Sequence, residues 1–322
     1  MAPFCLVSSS QTTRRHALKV LAKNLRFPEG PVALSDGSIC FVEIAAGRVS
    51  RVHPDGRVSL VASTGGGPNG LAAGPDGALY VCNNGGFIVK DVNGECHVVH
   101  GELPADYRTG SIQRIDLETG KVSTLYTHCN DVPLTAPNDL VFDAEGGFYF
   151  TDFGKIRKRQ REVGSIYYAK PDGSSIVEVA HPVANPNGIG LSPDQRTLYV
   201  AETETSRLWA YPIIRPGKVS HEGFPSPNGG HLVCGLPGYQ RFDSLAVQAD
   251  GNICVATLIA GAITVISPEG KVLHQVKMPE PYSTNICFGG KDRKMAYVTL
   301  SWSGQLIELE WPDAGLELNF NI

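Results

Sequence analysis

The chain has 322 residues, 42% of them hydrophobic, and a net charge of −4. Closed all-β folds often exceed ~200 residues as one domain, so this length does not require two domains. The acidic balance argues against a nucleic-acid partner or an anionic membrane surface. The 36 glycines and 22 prolines indicate many tight turns, as in a turn-rich β-protein.

The N-terminal segment, residues 1–16, is mostly small and polar, and we expect it to be disordered. The residues after Arg14-Arg15 contain no continuous apolar run of the ~7–15 residues that a secretory signal needs. No run approaches the ~18 apolar residues of a membrane span. The eight cysteines include no CxxC pair and suit reduced thiols. These features predict a cytoplasmic protein with no membrane partner.

Six segments of the chain share one order of residues: a polar residue, a short apolar strand, a turn with Asp or Gly, and a second apolar strand. The first runs from Pro28-Glu29-Gly30 through Asp36-Gly37 to Ile39-Cys40-Phe41-Val42. The intervals between the segments are 40, 69, 49, 56 and 42 residues. Repeats of ~40–50 residues with several short strands are typical of propeller blades. The polar residues that open the six segments are Glu29, Asn69, Asn138, Asn187, Asp243 and Asn285.

Each segment continues into a third and a fourth apolar strand, as in Gly47–Val52 followed by Val58–Val61. The sequence therefore predicts an all-β fold, a six-bladed β-propeller with four-stranded antiparallel blades around a central channel. The propeller is expected to be a single domain over residues 17–322. A β-sandwich would not require the same pattern six times.

Three segments lie outside this repeat pattern. Residues Ala17 to Asn24 precede the first blade, and we expect them to close the ring as the outer strand of the last blade. The longest interval leaves an excess of about Phe87 to Thr109, which we interpret as a loop over one end of the channel, where functional insertions belong. The basic run 155–161 in the third blade is interpreted as a solvated loop.

In a propeller the innermost strand of each blade lines the channel, so the six polar residues are expected to form a ring at one mouth. Carboxylate and amide oxygens are hard ligands that suit Ca²⁺, whereas zinc favours thiolates and imidazoles. A single Asn before a strand is also ordinary turn chemistry. The metal hypothesis therefore depends on the recurrence of an oxygen-bearing side chain in all six segments.

Other motifs give weaker signals. Gly65 to Gly70 formally matches GxGxxG, but Pro68 and the strand that follows it argue against a dinucleotide site. There is no GxSxG nucleophile elbow and no HExxH zinc motif in the sequence.

The four motifs Pro28-Glu29-Gly30-Pro31, Pro137-Asn138-Asp139, Pro186-Asn187-Gly188 and Asp243-Ser244-Leu245 resemble the metal site of the regucalcin/gluconolactonase (senescence marker protein-like) family. The resemblance extends from about Leu18 to Trp311. It implies a divalent metal, most often Ca²⁺ with Zn²⁺, Mg²⁺ or Mn²⁺ as substitutes, bound by Glu29, Asn138, Asn187 and Asp243. It also implies hydrolysis of a small-molecule lactone by water, with the metal polarising the carbonyl. Asp243 is the candidate catalytic residue, as general base.

One position departs from the family pattern. Sugar-lactone members often carry an arginine two residues before the Asn of the third blade, where this chain has Ala136. This difference permits a less polar substrate. The candidate substrate-binding residues are Asn69, Asn84, Phe87, Tyr107, Tyr282 and Asn285.

Two alternative functions remain open. One is hydrolysis of organophosphate triesters, because phosphotriesterases of the diisopropylfluorophosphatase type and paraoxonases use a similar Glu/Asn/Asn/Asp calcium site on a propeller. The other is a non-enzymatic ligand-binding propeller with structural calcium. Strictosidine-synthase-like propellers usually lack this metal set, so the four intact positions count against them. The oligomeric state is not indicated.

Overall fold

The computed structural model describes residues 17–99 and 101–322, so the segment 1–16 that we expect to be disordered lies outside the described residues. Regular structure in the described residues consists of strands and one 3₁₀ turn at Ile44–Ala46. No helix among them is long and apolar enough to cross a membrane. The prediction of an all-β fold is confirmed.

Six antiparallel sheets form the blades, and their strands follow one another along the chain. The chain begins with β1 (Lys19–Ala22). Blade one contains β2 (Pro28–Ala33), β3 (Ile39–Glu43), β4 (Arg48–Val52) and β5 (Val58–Ser63). Blade two contains β6 (Pro68–Ala73) and β7 (Leu79–Asn83), then, after a separate hairpin of β8 (Ile88–Val92) and β9 (Glu95–Val99), β10 (Ser111–Ile115) and β11 (Val122–Tyr126).

The second half of the chain repeats this order. A short hairpin of β12 (His128–Cys129) and β13 (Val132–Pro133) leads to blade three, with β14 (Pro137–Phe142), β15 (Phe148–Asp152), β16 (Gly164–Ala169) and β17 (Ile176–Val183). Blade four has β18 (Pro186–Leu191), β19 (Thr197–Glu202), β20 (Arg207–Arg215), a short extension β21 (Lys218–Val219) and β22 (His231–Gly235). Blade five has β23 (Arg241–Val247), β24 (Ile253–Leu258), β25 (Ala262–Ile266) and β26 (Val272–Lys277). Blade six has β27 (Ser283–Gly289), β28 (Met295–Leu300) and β29 (Gln305–Glu310).

The ring closes in two ways. β1 pairs antiparallel with β29, with Lys19 opposite Glu308 and Val20 opposite Ile307. β1 thus supplies the fourth strand of blade six. The innermost strand of each blade also contacts the innermost strands of both flanking blades, and β27 returns to β2. The six inner strands therefore surround one axis.

The core lies between the blades. The second strand of a blade is buried along its whole length, as in β3, β7, β15 and β24. Such strands contact a neighbouring sheet on each face, which explains their continuous apolar sequences. Between blades two and three the packing is aromatic, with ring centroids 5.0 Å apart for Tyr80 and Phe142 and 5.1 Å apart for Phe142 and Phe148.

A β-bulge interrupts the first strand pair of every blade. The register shifts between Glu29 and Val32 in β2, and the other five inner strands shift at the corresponding place. A bulge bends its strand and re-aims the side chain of the unpaired residue. The polar residue that opens each segment therefore lies at a bend next to the channel.

The register corrects the expected ring in blade six. There the shift falls between Ser283 and Asn285, so Thr284 occupies the position that Asp243 has in blade five. Asn285 is one residue further along and corresponds to Asp139 of blade three. Because successive side chains of a strand point to opposite sides, a slip of one residue moves Asn285 away from the predicted ring.

The excess residues of the second repeat are partly regular, whereas the sequence led us to expect a loop. β8 and β9 form an antiparallel hairpin, with Ile88 opposite Val99 and Val92 opposite Glu95. Its two turn residues, Asn93 and Gly94, have φ angles of 53° and 84°. We call residues 85–99 and 101–109 the insertion.

Candidate metal centre

A cavity of about 300 Å³ opens where the inner strands begin. Five side chains from the predicted ring line it: Glu29, Asn69, Asn138, Asn187 and Asp243. The proposed ligands thus come from four different blades and share one cavity. A second cavity of about 600 Å³ lies at the other ends of the inner strands, against residues 316–321. Asn285 and Asp139 line this second cavity.

Glu29 is buried, with 3% of its surface exposed. Its Oε2 accepts hydrogen bonds from the Gly30 amide at 2.9 Å and from Asn285 Nδ2 at 2.8 Å. Burial raises the pKa of Glu29. Asn285 therefore orients the carboxylate from the side of the second cavity.

The two amide side chains present oxygen atoms. Asn187 Nδ2 donates to Thr203 Oγ1 at 3.1 Å, and Ser244 Oγ donates a long bond of 3.4 Å to Asn187 Oδ1. In this arrangement Asn187 Nδ2 faces Thr203 and Asn187 Oδ1 faces Ser244. Asn138 Oδ1 is buried and accepts no hydrogen bond from any described residue. An orphaned buried oxygen is rare in folded proteins and marks a place for a missing partner.

Three buried carboxylates lie close enough to influence one another. The pKa of Asp243 is well above its ordinary value, because of burial first and then the negative charge of Glu29. Burial and the same Glu29 charge raise the pKa of Asp139 to about 7. None of the three forms an ion pair with a described lysine, arginine or histidine. Buried like charges without a counter-ion are unfavourable, and a cation would relieve their repulsion.

The donor set fits a hard divalent cation. Two carboxylates and two amide oxygens are the ligands that Ca²⁺ accepts, with waters completing its shell. Within residues 17–99 and 101–322 no three His, Cys, Asp or Glu side chains are grouped as a metal site, so a site here would depend on amide oxygens as well as carboxylates. Glu29, Asn138, Asn187 and Asp243 are therefore the side chains that could hold the ion.

The wall above these ligands is largely apolar. Three rings form a continuous stack, with centroids 4.5 Å apart for His97 and Trp302 and 4.0 Å apart for Trp302 and Tyr282. Polar groups at the rim include Arg241, which pairs with Glu204 at 3.4 Å. The remaining apolar lining comprises Phe27, Ile44, Phe87, Val98, Val99, Leu103, Phe153, Ile156 and Leu258.

The six predicted substrate-binding residues separate into three groups. Asn69, Phe87 and Tyr282 line the cavity. Asn84 lies behind its wall, where Oδ1 accepts from the Gly86 amide at 2.8 Å. Tyr107 also packs behind the wall and donates from Oη to the Thr135 carbonyl at 2.9 Å. Asn285 faces the second cavity instead.

Some lining residues were not anticipated from the sequence. His97, Trp302 and Lys155 line the cavity, but none occupies a repeated position. Lys155 belongs to the basic run that we interpreted as solvated, yet only 1% of its surface is exposed. Arg157 and Arg161 of the same run pair with Glu162 and Glu204.

Comparison with known families agrees with this geometry. The family model described as SMP-30/Gluconolactonase/LRE-like region matches residues 27–301, from the first ligand strand to the end of β28. The chain belongs to the SMP-30/gluconolactonase/LRE-like family. The resemblance inferred from the four ligand motifs is thereby confirmed.

Curated relatives in this family are distant but extensive. Lactonase drp35 of Staphylococcus saprophyticus is 29% identical over 250 residues, which cover 76% of this chain and 67% of that protein. Gluconolactonase of Zymomonas mobilis is 24% identical over 307 residues, covering 86% and 77% respectively. Among solved structures, the calcium-binding protein regucalcin from Agrobacterium tumefaciens superposes with a TM-score of 0.70 at 19% identity, over 94% of this chain and 98% of that one. This last similarity shows the shared fold.

Proposed function

We propose that this protein is a metal-dependent lactonase, a carboxylic ester hydrolase that opens a lactone ring. The observation that carries the proposal is the set of Glu29, Asn138, Asn187 and Asp243 around one cavity, with the carboxylates buried and without a cationic partner among the described side chains. Ca²⁺ is the favoured ion, and Zn²⁺, Mg²⁺ or Mn²⁺ could substitute. Family membership and relatives named lactonase and gluconolactonase support it.

Two of the four proposed ligands supply negative charge, and the other two supply neutral oxygen atoms. A divalent cation held by them would supply Lewis-acid polarisation of the lactone carbonyl. Glu29 and Asp243 provide two negative charges that balance such an ion. Asn138 and Asn187 provide neutral oxygens. Asn187 Nδ2 donates to the Thr203 hydroxyl, so the Asn187 oxygen points away from Thr203.

Asp243 is the proposed general base. It lines the cavity as a carboxylate, so it can accept the proton of a water that attacks the lactone carbonyl. The carbon–oxygen bond of the ring then breaks, and the proton passes to the alkoxide that leaves. The product carries a free hydroxyl group and a carboxylate on one molecule, and the second proton of the attacking water is released to solvent.

The cavity walls favour an apolar lactone. The aromatic stack of His97, Trp302 and Tyr282 can bury a planar or aliphatic ring against its faces. Ala136 is 2% exposed and supplies no charge at the position where sugar-lactone members often have an arginine. Asn69 adds a polar side chain beside the ligands.

A substrate panel tests this function against its alternatives. The Ca²⁺-loaded protein is assayed with γ- and δ-lactones of varied polarity and with an aryl organophosphate triester. We expect lactone hydrolysis, fastest for apolar rings. Turnover of the triester alone would favour the phosphotriesterase alternative. Calcium binding without turnover of either class would favour a ligand-binding propeller with structural calcium.

We also propose a cytoplasmic location. Cys40, Cys82, Cys96, Cys129 and Cys254 are buried free thiols. Free thiols are the state that a reducing compartment maintains.

A further inference from the structure

Lys155 connects blade three to the insertion. Its Nζ donates to the Gly86 carbonyl at 2.9 Å and lies 4.6 Å from the ring centroid of Phe87 and 5.0 Å from that of Tyr107. All three partners belong to the insertion, whereas Lys155 follows β15. The amine forms no ion pair within 4.0 Å with any described carboxylate. In its protonated form, a buried amine over two aromatic faces gains a cation–π attraction that is stronger than at the surface.

The opposite side of the insertion is attached to blades six and one. The Cys96 amide donates to the Trp302 carbonyl at 3.0 Å, and His97 stacks on the Trp302 ring. Asp91 pairs with Arg26. With Lys155 on the blade-three side, the insertion spans the mouth of the cavity and is fixed at both ends.

The insertion supplies much of the apolar wall above the ligands. Phe87, His97, Val98, Val99 and Leu103 all line the cavity. The Lys155 amine contacts the Phe87 ring. Movement of Phe87 relative to this amine would therefore displace the cavity wall without displacing the four proposed ligands. Tyr107 lies under the same amine without lining the cavity.

Lys155 has a chemical feature that a purely apolar residue would lack. Burial lowers the pKa of its amine to about 7, although Asp152 and Glu162 oppose this shift. An apolar side chain would fill the space without desolvating an amine, but it could not hold the Gly86 carbonyl. The amine therefore adds a directional hydrogen bond to the insertion.

We propose that Lys155 is a positioning residue that holds the insertion over the metal-ligand ring and thereby sets the affinity for apolar lactones. This inference rests on the lactonase function proposed above. Lys155 acts through Phe87 and the insertion backbone, so it is expected to affect substrate binding more than the chemical step.

Steady-state kinetics of the Ca²⁺-loaded full chain test the proposal. For Lys155→Met we expect KM for a benzo-fused δ-lactone to rise about tenfold, with kcat within about threefold of wild type and KM for γ-butyrolactone unchanged. Lys121→Met, at an exposed turn of blade two, serves as the matched control. Tyr107→Leu removes one ring below the amine and should change KM in the same direction. An unchanged KM for the benzo-fused lactone, or a large loss of kcat at constant KM, would contradict the positioning role.

Amide hydrogen exchange gives a readout that needs no activity. Lys155→Met should speed exchange in β8 and β9, including the Cys96 amide, while the strands of blade three keep their wild-type rates. Equal exchange of the insertion in variant and wild type would overturn the proposal. A protein that hydrolyses no lactone would contradict the proposed function, and the exchange measurement would still decide whether Lys155 holds the insertion.

Discussion

At the scale of single residues, the site combines a charged half and a neutral half. Asp243 and Glu29 are buried carboxylates whose charges repel each other. Asn138 and Asn187 contribute oxygens without charge. We therefore expect the two carboxylates to determine the affinity for the ion and the two amides to supply neutral oxygens around it.

Replacement of Asp243 tests the catalytic assignment. Asp243→Asn should lower kcat at least about 100-fold, because the amide cannot accept the proton of the attacking water. The fold should persist, since Asn has nearly the same shape as Asp. Lactone hydrolysis and circular dichroism measure the two effects. Asp250→Asn, in an exposed turn of the same blade, is the control, and a variant at Asp243 with most of its activity would refute the base role.

Replacement of Glu29 tests the metal assignment separately. Glu29→Gln should weaken Ca²⁺ binding about tenfold or more, because one of two charged ligands is lost. Titration calorimetry measures the dissociation constant. In chelator, the same variant should melt at or above the wild-type temperature, since the substitution removes one of the buried like charges. Unaltered calcium affinity would exclude Glu29 as a ligand.

Sequence reasoning brought side chains to one cavity where the repeat was in register, and it missed side chains whose contacts are tertiary. The four ligand motifs carry a local signal, and all four side chains line one cavity. Asn285 was misplaced because its position in the bulge differs by one residue from that of Asp243. Lys155 and Trp302 reach the cavity through packing between distant segments, for which the sequence contains no local signal.

At the scale of elements, the close approach of neighbouring inner strands sets the spacing of the four proposed ligands. A Cβ on Gly188 would lie 2.5 Å from the Leu245 amide and 2.7 Å from the Ser244 carbonyl carbon. Both contacts involve backbone of the next blade, which cannot move without moving Asp243. Gly188 has no left-handed φ, so its requirement for glycine is steric.

The substitution Gly188→Ala should therefore destabilise the fold and disturb the site. We expect a loss of about 1–3 kcal/mol in the free energy of unfolding and weaker calcium binding, because blades four and five are pushed apart. Chemical denaturation and calorimetry measure the effects. Gly223→Ala is the matched control, since a Cβ there meets no atom within 4 Å. Equal stability of the two variants would contradict this account of the strand contact.

The strands of the blades could be predicted because their signals are local. Asp-Gly turns and alternating apolar runs define hairpins without reference to the rest of the fold. The hairpin of the insertion has a comparable local signal in Asn93-Gly94, although it lies outside the repeat. Its attachment to blades one, three and six depends on packing that periodicity does not encode.

At the scale of the whole molecule, closure of the ring fixes the positions of the inner strands that carry the four proposed ligands. β1 supplies the outer strand of blade six from the N-terminal side of blade one, and Lys19 Nζ pairs with Glu308 at 2.7 Å. The circular order was predictable from six repeats and one unassigned segment. The two cavities at opposite ends of the channel could not be predicted, because their shapes depend on side chains from all blades.

Removal of the closing strand tests this arrangement. A chain that starts at Asn24 should melt at least about 2 °C below one that starts at Ala17, because β29 loses its partner and becomes an exposed edge. Differential scanning calorimetry measures the difference. The chain that starts at Ala17 is the reference, which separates the strand from residues 1–16. Equal melting temperatures would show that β1 does not contribute to closure.

The most direct test of the lactonase proposal is the rate of hydrolysis of an apolar δ-lactone by the full chain before chelation, after chelation and after Ca²⁺ is returned. We predict that chelation reduces the rate at least about 100-fold and that Ca²⁺ restores it, while Asp243→Asn stays inactive throughout. A rate that chelation leaves unchanged would contradict a metal-dependent lactonase built on Glu29, Asn138, Asn187 and Asp243.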